Sequence, residues 1–519
     1  MISGMSCYKN LLCCALLLLL PGGLSCSTLG DVHTSAATVA QLVENEAAVI
    51  LTLKDYIRKE EERLQTIKQY VESWGGEDAD YVSNPINSYH FLRRLTHDYS
   101  PVKNALHDTT TKAVRANITL LRESVDVPVE ADVNGAAYAL VRLQDTYGLA
   151  LDDIVEGDIK GTKAIQELTA DDCFRLGHQS FKNLEFDLSS QWYDKGLELL
   201  RASQPLTYAV QKRIEKITRQ QEHRAMMRQF VTQMAQKSDD SVLDQFSGLG
   251  IPTSFQKQIY AKHDDFDQVD KLDDLYRRLC RGEQLQPPEA YIGLKCGYIF
   301  GNSGRYKLMP FKVELMWPDP VIIVYHDVLS ERETRLLKEI SMPRLATTMV
   351  HSFTTHEARK SLARIGKTAW VRPEDDAKVA RIFDRIEDMT GLSTQTAEPL
   401  HVLNYGIGGH YDAHVDFFDL RNKSLDDSPH QGDRMSTMLF YMNDVKAGGS
   451  TVFPTLGVAV PARRGSALFW FNLKRSGEGD YRTVHASCPV LLGEKWIANL
   501  WIHEWGQEFR WKCTNDPRD

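Results

Sequence analysis

His414–Val415–Asp416 decides how the C-terminal half of this chain is read. It is approached by Asn404–Tyr405–Gly406–Ile407–Gly408–Gly409–His410–Tyr411 and followed far downstream by His485 and Lys495. On a strand, alternate side chains share a face, so His414 and Asp416 point the same way and can share a metal ion. His485 supplies a third ligand from a distant strand. Two imidazoles and one carboxylate on one face form the facial triad of non-haem Fe(II) oxygenases, which leaves coordination positions open for a 2-oxo acid and dioxygen. A 2-oxo acid such as 2-oxoglutarate carries a second carboxylate, and burying that group requires a cation. Lys495 opens the apolar run Lys495–Trp496–Ile497–Ala498–Asn499–Leu500–Trp501 just after Gly493, which reads as a buried strand. Neither fragment is specific alone. An H-x-D triplet is usually a surface pair and a lone lysine is usually solvated, so the order of the whole set carries the reading.

These residues, with Gly448–Gly449–Ser450–Thr451–Val452–Phe453–Pro454, Gly477–Glu478–Gly479–Asp480–Tyr481, His485–Ala486–Ser487–Cys488–Pro489–Val490 and Gly493–Glu494–Lys495–Trp496, resemble the catalytic domain of collagen prolyl 4-hydroxylase α subunits. The resemblance extends over nearly the whole chain. It departs at Ala413, where the family usually has proline before the first ligand. It implies Fe(II) at His414, Asp416 and His485, and 2-oxoglutarate held by Lys495, Tyr405, Thr451 and His503. It also implies contacts from Tyr411 and Trp501 to the substrate proline, and ascorbate to rescue oxidised iron. The implied reaction is hydroxylation of proline in X-Pro-Gly repeats of collagen-like chains. Another lumenal 2-oxoglutarate oxygenase, or a non-enzymatic adaptor for proline-rich peptides, are the alternatives. The lysine at 495 weighs against the first of these and the intact triad against the second.

The remaining sequence fills in the organisation. A chain of 519 residues exceeds one ordinary core and implies several domains. A net charge of −9 argues against nucleic acid and against an anionic membrane surface as partners. Lys9, the apolar run 11–20 and Pro21–Gly22–Gly23 read as a secretory signal peptide over residues 1–25, too short to span a bilayer comfortably; no further spanning run is expected. The expected compartment is the endoplasmic reticulum lumen, with Asn117 and Asn422 as glycosylation acceptors. The chain ends Asp516–Pro517–Arg518–Asp519, which is not a retention tetrapeptide. Retention is then expected through a partner. The resemblance implies protein disulfide isomerase as β subunit, in a heterotetramer of two α and two β subunits.

Residues 26–127 read as a helical dimerisation region. Val49, Leu53, Tyr56, Leu64, Ile67, Val71 and Trp74 fall at three- and four-residue steps around a charged run, Arg58 to Glu62. The same stripe also fits a helix packed within its own domain. Residues 128–247 read as a helical, peptide-binding module. Thr169 with Asp171 and Asp172 opens one of its helices, and Leu176–Gly177, Tyr193 and Gly196 echo one tetratricopeptide (TPR) repeat. Its aromatics are either core or a groove for a polyproline II ligand, with Tyr147 and Tyr193 as the candidate contacts. Residues 248–320 read as a connector in which Cys280 and Cys296 flank a breaker-rich stretch, Cys488 and Cys513 remain near the C-terminus, and Cys173 lies on a helix as a buried thiol. Sequence leaves the pairing open. The resemblance implies Cys280–Cys296 and Cys488–Cys513. Residues 321–519 read as the catalytic domain, in which two flanking helices, at 330–340 and 378–389, precede short glycine-punctuated strands. That pattern fits a double-stranded β-helix, or jelly roll. The expected whole is therefore multidomain, all-α first and jelly roll second.

Overall fold

The computed structural model describes residues 31–73, 110–124, 126, 128–183, 185–203, 207–237, 268–301, 304–348, 350–351, 358–359, 363–406, 408–418, 431–514 and 516. The signal peptide over 1–25, Trp74 of the apolar stripe and the Asn422 sequon lie outside them. Two compact units separate, residues 38–127 and the remainder.

The smaller unit is helical. Ala36–Glu72 runs for 37 residues and starts before the unit's boundary. No proline or glycine interrupts it, so each residue adds a backbone hydrogen bond. The charged run is stitched by Arg58 to Asp55 and Glu62, each at 2.6 Å, and by Lys59 to Asp55 at 2.8 Å. These are i,i+3 and i,i+4 pairs on a solvated face and contribute little each. Val43, Leu51, Ile57 and Leu64 are exposed. By length and composition alone this helix is also apolar enough to cross a membrane, a property not anticipated from sequence. Thr110–Glu123 carries Asn117 on its exposed side, and its Leu121 carbonyl accepts from Asn45.

In the larger unit, helices Glu130–Tyr147, Ala170–Lys182, Phe186–Ser203 and Tyr208–Lys237 fall within the stretch 128–247 read as helical. Thr169 caps its helix reciprocally with Asp172. Helices Ala170–Lys182 and Phe186–Ser203 interlock through glycine against aromatic ring. A Cβ at Gly177 would lie 2.8 Å from the Tyr193 ring, and one at Gly196 would lie 2.6 Å from Phe174. Trp192, fully buried, donates to Gln144 Oε1 at 2.8 Å. Tyr138, Tyr147, Trp192 and Tyr193 are buried, Phe174, Phe181 and Phe186 are half-buried, and Tyr208 is exposed.

The stretch read as a connector contains helix Gln268–Cys280 and strands Cys296–Ile299 and Phe311–Pro318. Both strands belong to a nine-stranded antiparallel sheet. Its order is Cys296–Ile299, Phe311–Pro318, Val321–His326, Ala467–Phe471, Arg434–Tyr441, Lys495–His503, Leu400–Tyr405, Lys367–Val371 and Ala346–Thr347. A five-stranded sheet runs Val458–Val460, Thr451–Phe453, His485–Ser487, His410–His414 and Arg364–Ile365. Two sheets of this kind are consistent with the jelly roll expected.

One face of the large sheet (Val402, Phe440, Ala498, Leu500) packs under helices Glu331–Ser341 and Ala377–Thr390 through Leu337, Val379, Ile382 and Ile386. Its other face (Leu403, Tyr405, Tyr441, Ile497) meets Phe453, Val458 and Val460 of the small sheet. The Lys495 strand is therefore buried on both faces, which explains its imperfect alternation. Ser330 and Glu333 form a capping box that opens the first of these helices, where a helix at 330–340 was expected.

The disulfide differs from both expected pairings. Cys280 is bonded to Cys488, with Cα atoms 5.6 Å apart, while Cys296 and Cys513 are exposed free thiols. Spacing measures loop length only. Helix Gln268–Cys280 packs its C-terminal turn against the segment that follows His485–Ser487, and that brings together two cysteines 208 residues apart. Cys173 is a buried thiol, as read.

Candidate metal centre

Strands His410–His414 and His485–Ser487 pair antiparallel, with His414 directly opposite His485. Cross-strand partners bring side chains together, and the two imidazole centroids lie 4.3 Å apart. The first strand stops at His414, so Asp416 sits in a bend beyond it rather than on the strand. It still converges: its Oδ1 is 3.6 Å from His414 Nε2 and its Oδ2 is 3.7 Å from His485 Nε2. All three residues are buried, with ligand atoms within 4.8 Å of one another.

Each ring is oriented from behind. His414 Nδ1 donates to the Asp412 carbonyl at 2.8 Å and His485 Nδ1 to the Thr483 carbonyl at 3.0 Å, which leaves both Nε2 lone pairs facing Asp416. Burial, reinforced by His414, lowers the His485 pKa to about 4, so its imidazole is neutral at physiological pH. Burial disfavours an ionised Asp416, but His485, His414 and Arg434 outweigh it and hold the carboxyl well below its ordinary range. Asp416 Oδ2 also accepts from Thr437 at 2.7 Å, and Thr437 from Asn472 at 2.9 Å. Two imidazoles with their Nε2 atoms aimed inward and one carboxylate, pre-oriented and dry, suit a divalent first-row metal with positions left open.

Lys495 lies beside this centre on the small-sheet side of its strand, fully buried. Tyr405 is its cross-strand partner. The ammonium donates to Ser487 Oγ at 2.8 Å and lies 5.7 and 5.9 Å from the Tyr405 and Tyr441 rings. Tyr441 donates to Thr451 Oγ1 at 2.9 Å. Among the described residues no carboxylate pairs with Lys495, and burial lowers its pKa to about 7. A buried cation without a counterion is costly, and an anionic ligand offsets that cost.

Residues 35–161 match the model of the prolyl 4-hydroxylase alpha-subunit N-terminal region, and residues 400–503 match that of the 2OG-Fe(II) oxygenase superfamily. Prolyl 4-hydroxylase subunit alpha-1 of Rattus norvegicus is 35% identical, over 94% of this chain and 96% of its own length. Prolyl 4-hydroxylase subunit alpha-2 of Gallus gallus is 34% identical, over 94% and 96%. Subunit alpha-2 of Caenorhabditis elegans is 34% identical, over 93% of each. The chain belongs to the prolyl 4-hydroxylase alpha-subunit family. It is a 2-oxoglutarate-dependent dioxygenase whose cofactor is Fe(II) and whose co-substrate is 2-oxoglutarate.

In this prolyl 4-hydroxylase family chain the other expected site residues divide. Tyr405 and Thr451 lie around Lys495, as described. Tyr411 stacks on His414, with centroids 3.5 Å apart, and the Arg364 guanidinium covers its ring at 4.5 Å. Trp501 is buried, with Arg434 at 3.8 Å over its face and His401 at 5.3 Å. Both ring nitrogens of His503 are engaged by the protein. Its ring nitrogens face the Gly432 carbonyl at 2.8 Å and Glu398 at 3.2 Å, and Glu398 binds Arg434, which reaches the Asp416 carbonyl at 3.5 Å. It braces the bend that carries Asp416. Tyr147 and Tyr193 are 6% and 4% exposed, so neither lines an open groove. Tyr193 packs on Gly177 inside the helical hairpin, while Tyr147 donates to the Pro489 carbonyl.

Ser487, Tyr441, Thr437, Asn472 and Arg364 were not anticipated. Ser487 was findable, because it lies two residues after His485 on the same strand face. Thr437 and Tyr441 share strand Arg434–Tyr441, Asn472 follows Ala467–Phe471 and Arg364 lies in Arg364–Ile365, and none of them carries a local signal.

Proposed function

We propose that this chain is the catalytic α subunit of an enzyme that hydroxylates C4 of proline in X-Pro-Gly repeats of collagen-like chains. The observation that carries the reading is the buried His414–Asp416–His485 set next to a buried lysine that has no acidic partner among the described residues. When bound, iron and 2-oxoglutarate supply the oxidising chemistry that inserts an oxygen atom from dioxygen and releases carbon dioxide and succinate. The protein's part is orientation and exclusion. His414, His485 and Asp416 would hold the metal. Carbonyls 412 and 483 and the Thr437 hydroxyl keep the three ligands aimed. Lys495 and Ser487 would take the far carboxylate of the oxo acid, with Tyr405, Tyr441 and Thr451 walling the pocket. The Tyr411 and Trp501 side is left for the proline.

Within the same reading, the exposed leucines and isoleucine of Ala36–Glu72 serve dimerisation, and the Gly177–Tyr193 hairpin is a single TPR-like unit beside the catalytic region. Asn117 is exposed and accessible to glycosylation. The chain works in the endoplasmic reticulum lumen with protein disulfide isomerase as β subunit, and ascorbate rereduces iron oxidised in uncoupled turnovers. The relatives are named as subunits, which supports an obligate partner.

The test is succinate release and hydroxyproline formation on a (Pro-Pro-Gly) repeat peptide. The chain is co-expressed with protein disulfide isomerase and supplied with Fe(II), 2-oxoglutarate and ascorbate, with His485→Ala as control. Hydroxyproline that vanishes in the control supports the reading. Succinate without hydroxyproline moves the substrate to another lumenal protein. Neither product from a folded, iron-loaded complex favours the adaptor.

A further inference from the structure

Tyr147 ends helix Glu130–Tyr147, and its side chain points into the catalytic sandwich. Its hydroxyl donates to the Pro489 carbonyl, which also accepts from the Gly449 amide at 3.1 Å. The fit is close. A Cβ at Gly448 would lie 2.5 Å from the Tyr147 oxygen and 2.6 Å from the Pro489 oxygen. One residue before Pro489, Cys488 donates its amide to the Ser450 carbonyl at 2.9 Å and is bonded to Cys280 of the neighbouring helix. One residue earlier still, Ser487 receives Lys495. On the other strand of this turn, a Cβ at Gly449 would lie 3.4 Å from Lys495 Cδ. Two helices that precede the catalytic strands therefore grip one short turn, by a hydroxyl and by a disulfide. That turn presents both Ser487 and the Gly449 backbone to the buried lysine.

We infer that Tyr147 is a positioning residue for the co-substrate pocket: the helical region sets the affinity for the 2-oxo acid through the Cys488–Pro489 turn. The inference rests on the reading of Lys495 as the anchor of the oxo acid's far carboxylate. It predicts that a tyrosine in the helical region, where a peptide contact was expected, governs the small co-substrate and not the peptide. The hydroxyl acts by holding the Pro489 carbonyl in place, so its loss loosens Ser487 and the lysine together and leaves the metal ligands alone. Tyr138 provides the matched comparison. It lies on the same helix, is equally buried, and donates to Glu185 at 2.9 Å, away from the turn.

The experiment compares Tyr147→Phe, Tyr138→Phe and Lys495→Ala in the full-length chain co-expressed with protein disulfide isomerase. Tyr147→Phe should raise the KM for 2-oxoglutarate by about three- to tenfold, the range that one lost hydrogen bond supports, with kcat and the peptide KM within about twofold of wild type. It should also reduce the rise in Tm that 2-oxoglutarate gives, a readout independent of turnover. Tyr138→Phe should change neither. A Tyr147→Phe variant whose peptide KM rises instead, or whose profile matches Tyr138→Phe, overturns the inference. If Lys495→Ala leaves the 2-oxoglutarate KM unchanged, the pocket reading itself falls. If Lys495→Ala raises it and Tyr147→Phe does not, only the role of Tyr147 falls. Should Tyr147→Phe not fold, hydrogen exchange on the wild-type chain decides. Addition of 2-oxoglutarate should protect the amides of 143–147 together with those of 488 and 490–492, and protection confined to 488 and 490–492 refutes the coupling.

Discussion

Tyr138 and Tyr147 of the helical region and Tyr405 and Tyr441 of the catalytic sandwich are all buried, but they stand in different settings. Tyr138 and Tyr147 are 8% and 6% exposed, and each hydroxyl is spent on a protein partner, Glu185 or the Pro489 carbonyl. Tyr405 and Tyr441, at 1% and 0%, surround an ammonium that has no acidic partner among the described residues. Among the described residues, most buried polar atoms without a protein partner lie in the same half of the chain, Trp470 Nε1, Asn472 Oδ1, Asn499 Oδ1, Trp501 Nε1 and Arg364 Nε among them, with Glu185 Oε2 the exception in the helical region. Burial by itself therefore does not mark a site. Buried polarity that the protein leaves uncompensated does, because folding alone selects against it.

This contrast can be broken by mutation at either end. The largest effect belongs to the metal ligands. His485→Ala should reduce hydroxylation to background and abolish Fe(II) retention, measured by metal analysis of the purified complex. Lys495→Met comes next. It should raise the 2-oxoglutarate KM by about two to three orders of magnitude, the weight of a broken buried charge pair. The same change should stabilise the ligand-free chain, since it removes a buried cation.

The pH dependence follows from the sign of the lysine shift. The pKa in the folded, ligand-free chain, about 7, lies below the unfolded value. The cost of the buried charge is therefore full below pH 7 and is relieved as pH rises toward the unfolded pKa. The stabilisation by Lys495→Met should be greatest below pH 7, as read by denaturant melts. Affinity of wild type for 2-oxoglutarate should weaken as pH rises above about 7, because the lysine must then take up a proton to bind. A pH-independent affinity would count against the buried, unpaired lysine.

A smaller effect is expected one step behind the metal. Thr437→Val removes the hydrogen bond to Asp416 Oδ2 and should weaken metal binding by about 10–100-fold, as losses in the outer shell of metal sites do. Titration of the variant with Fe(II) or a spectroscopic substitute measures it. The smallest effect lies in the helical region. Gly177→Ala forces a methyl against the Tyr193 ring and should cost about 1–3 kcal/mol of stability, the usual range for overpacking, with the 2-oxoglutarate KM unchanged. A shift in that KM would join the hairpin to the co-substrate pocket and dissolve the contrast between the two regions.

Much of the centre was legible because its logic is local. The i,i+2 spacing of His414 and Asp416, the caps at Thr169 and Ser330, and the both-faces-buried run after Lys495 are written within a few residues each. Even there the mechanism differed in detail, since Asp416 meets the histidines from a bend and not from the strand. His503 carried the right residue type in the right strand, yet its ring is committed to Gly432 and Glu398. A one-dimensional pattern gives the face of a strand and says nothing of what stands opposite.

The sequence by itself determined the donor set, the lysine, the helix signals and the division into a helical half and a β half. These depend on residue type and on periods of two to four residues. Only the tertiary structure decided that Cys280 bonds Cys488, that Tyr147 holds Pro489, and that Asn404 accepts from Ser35 and from the backbone of Ala37 across 369 and 367 residues of chain. Those meetings are fixed by how packed layers come to lie against one another. Neighbouring residues in the sequence do not encode that placement, because the energy that selects it is spread over the whole buried interface.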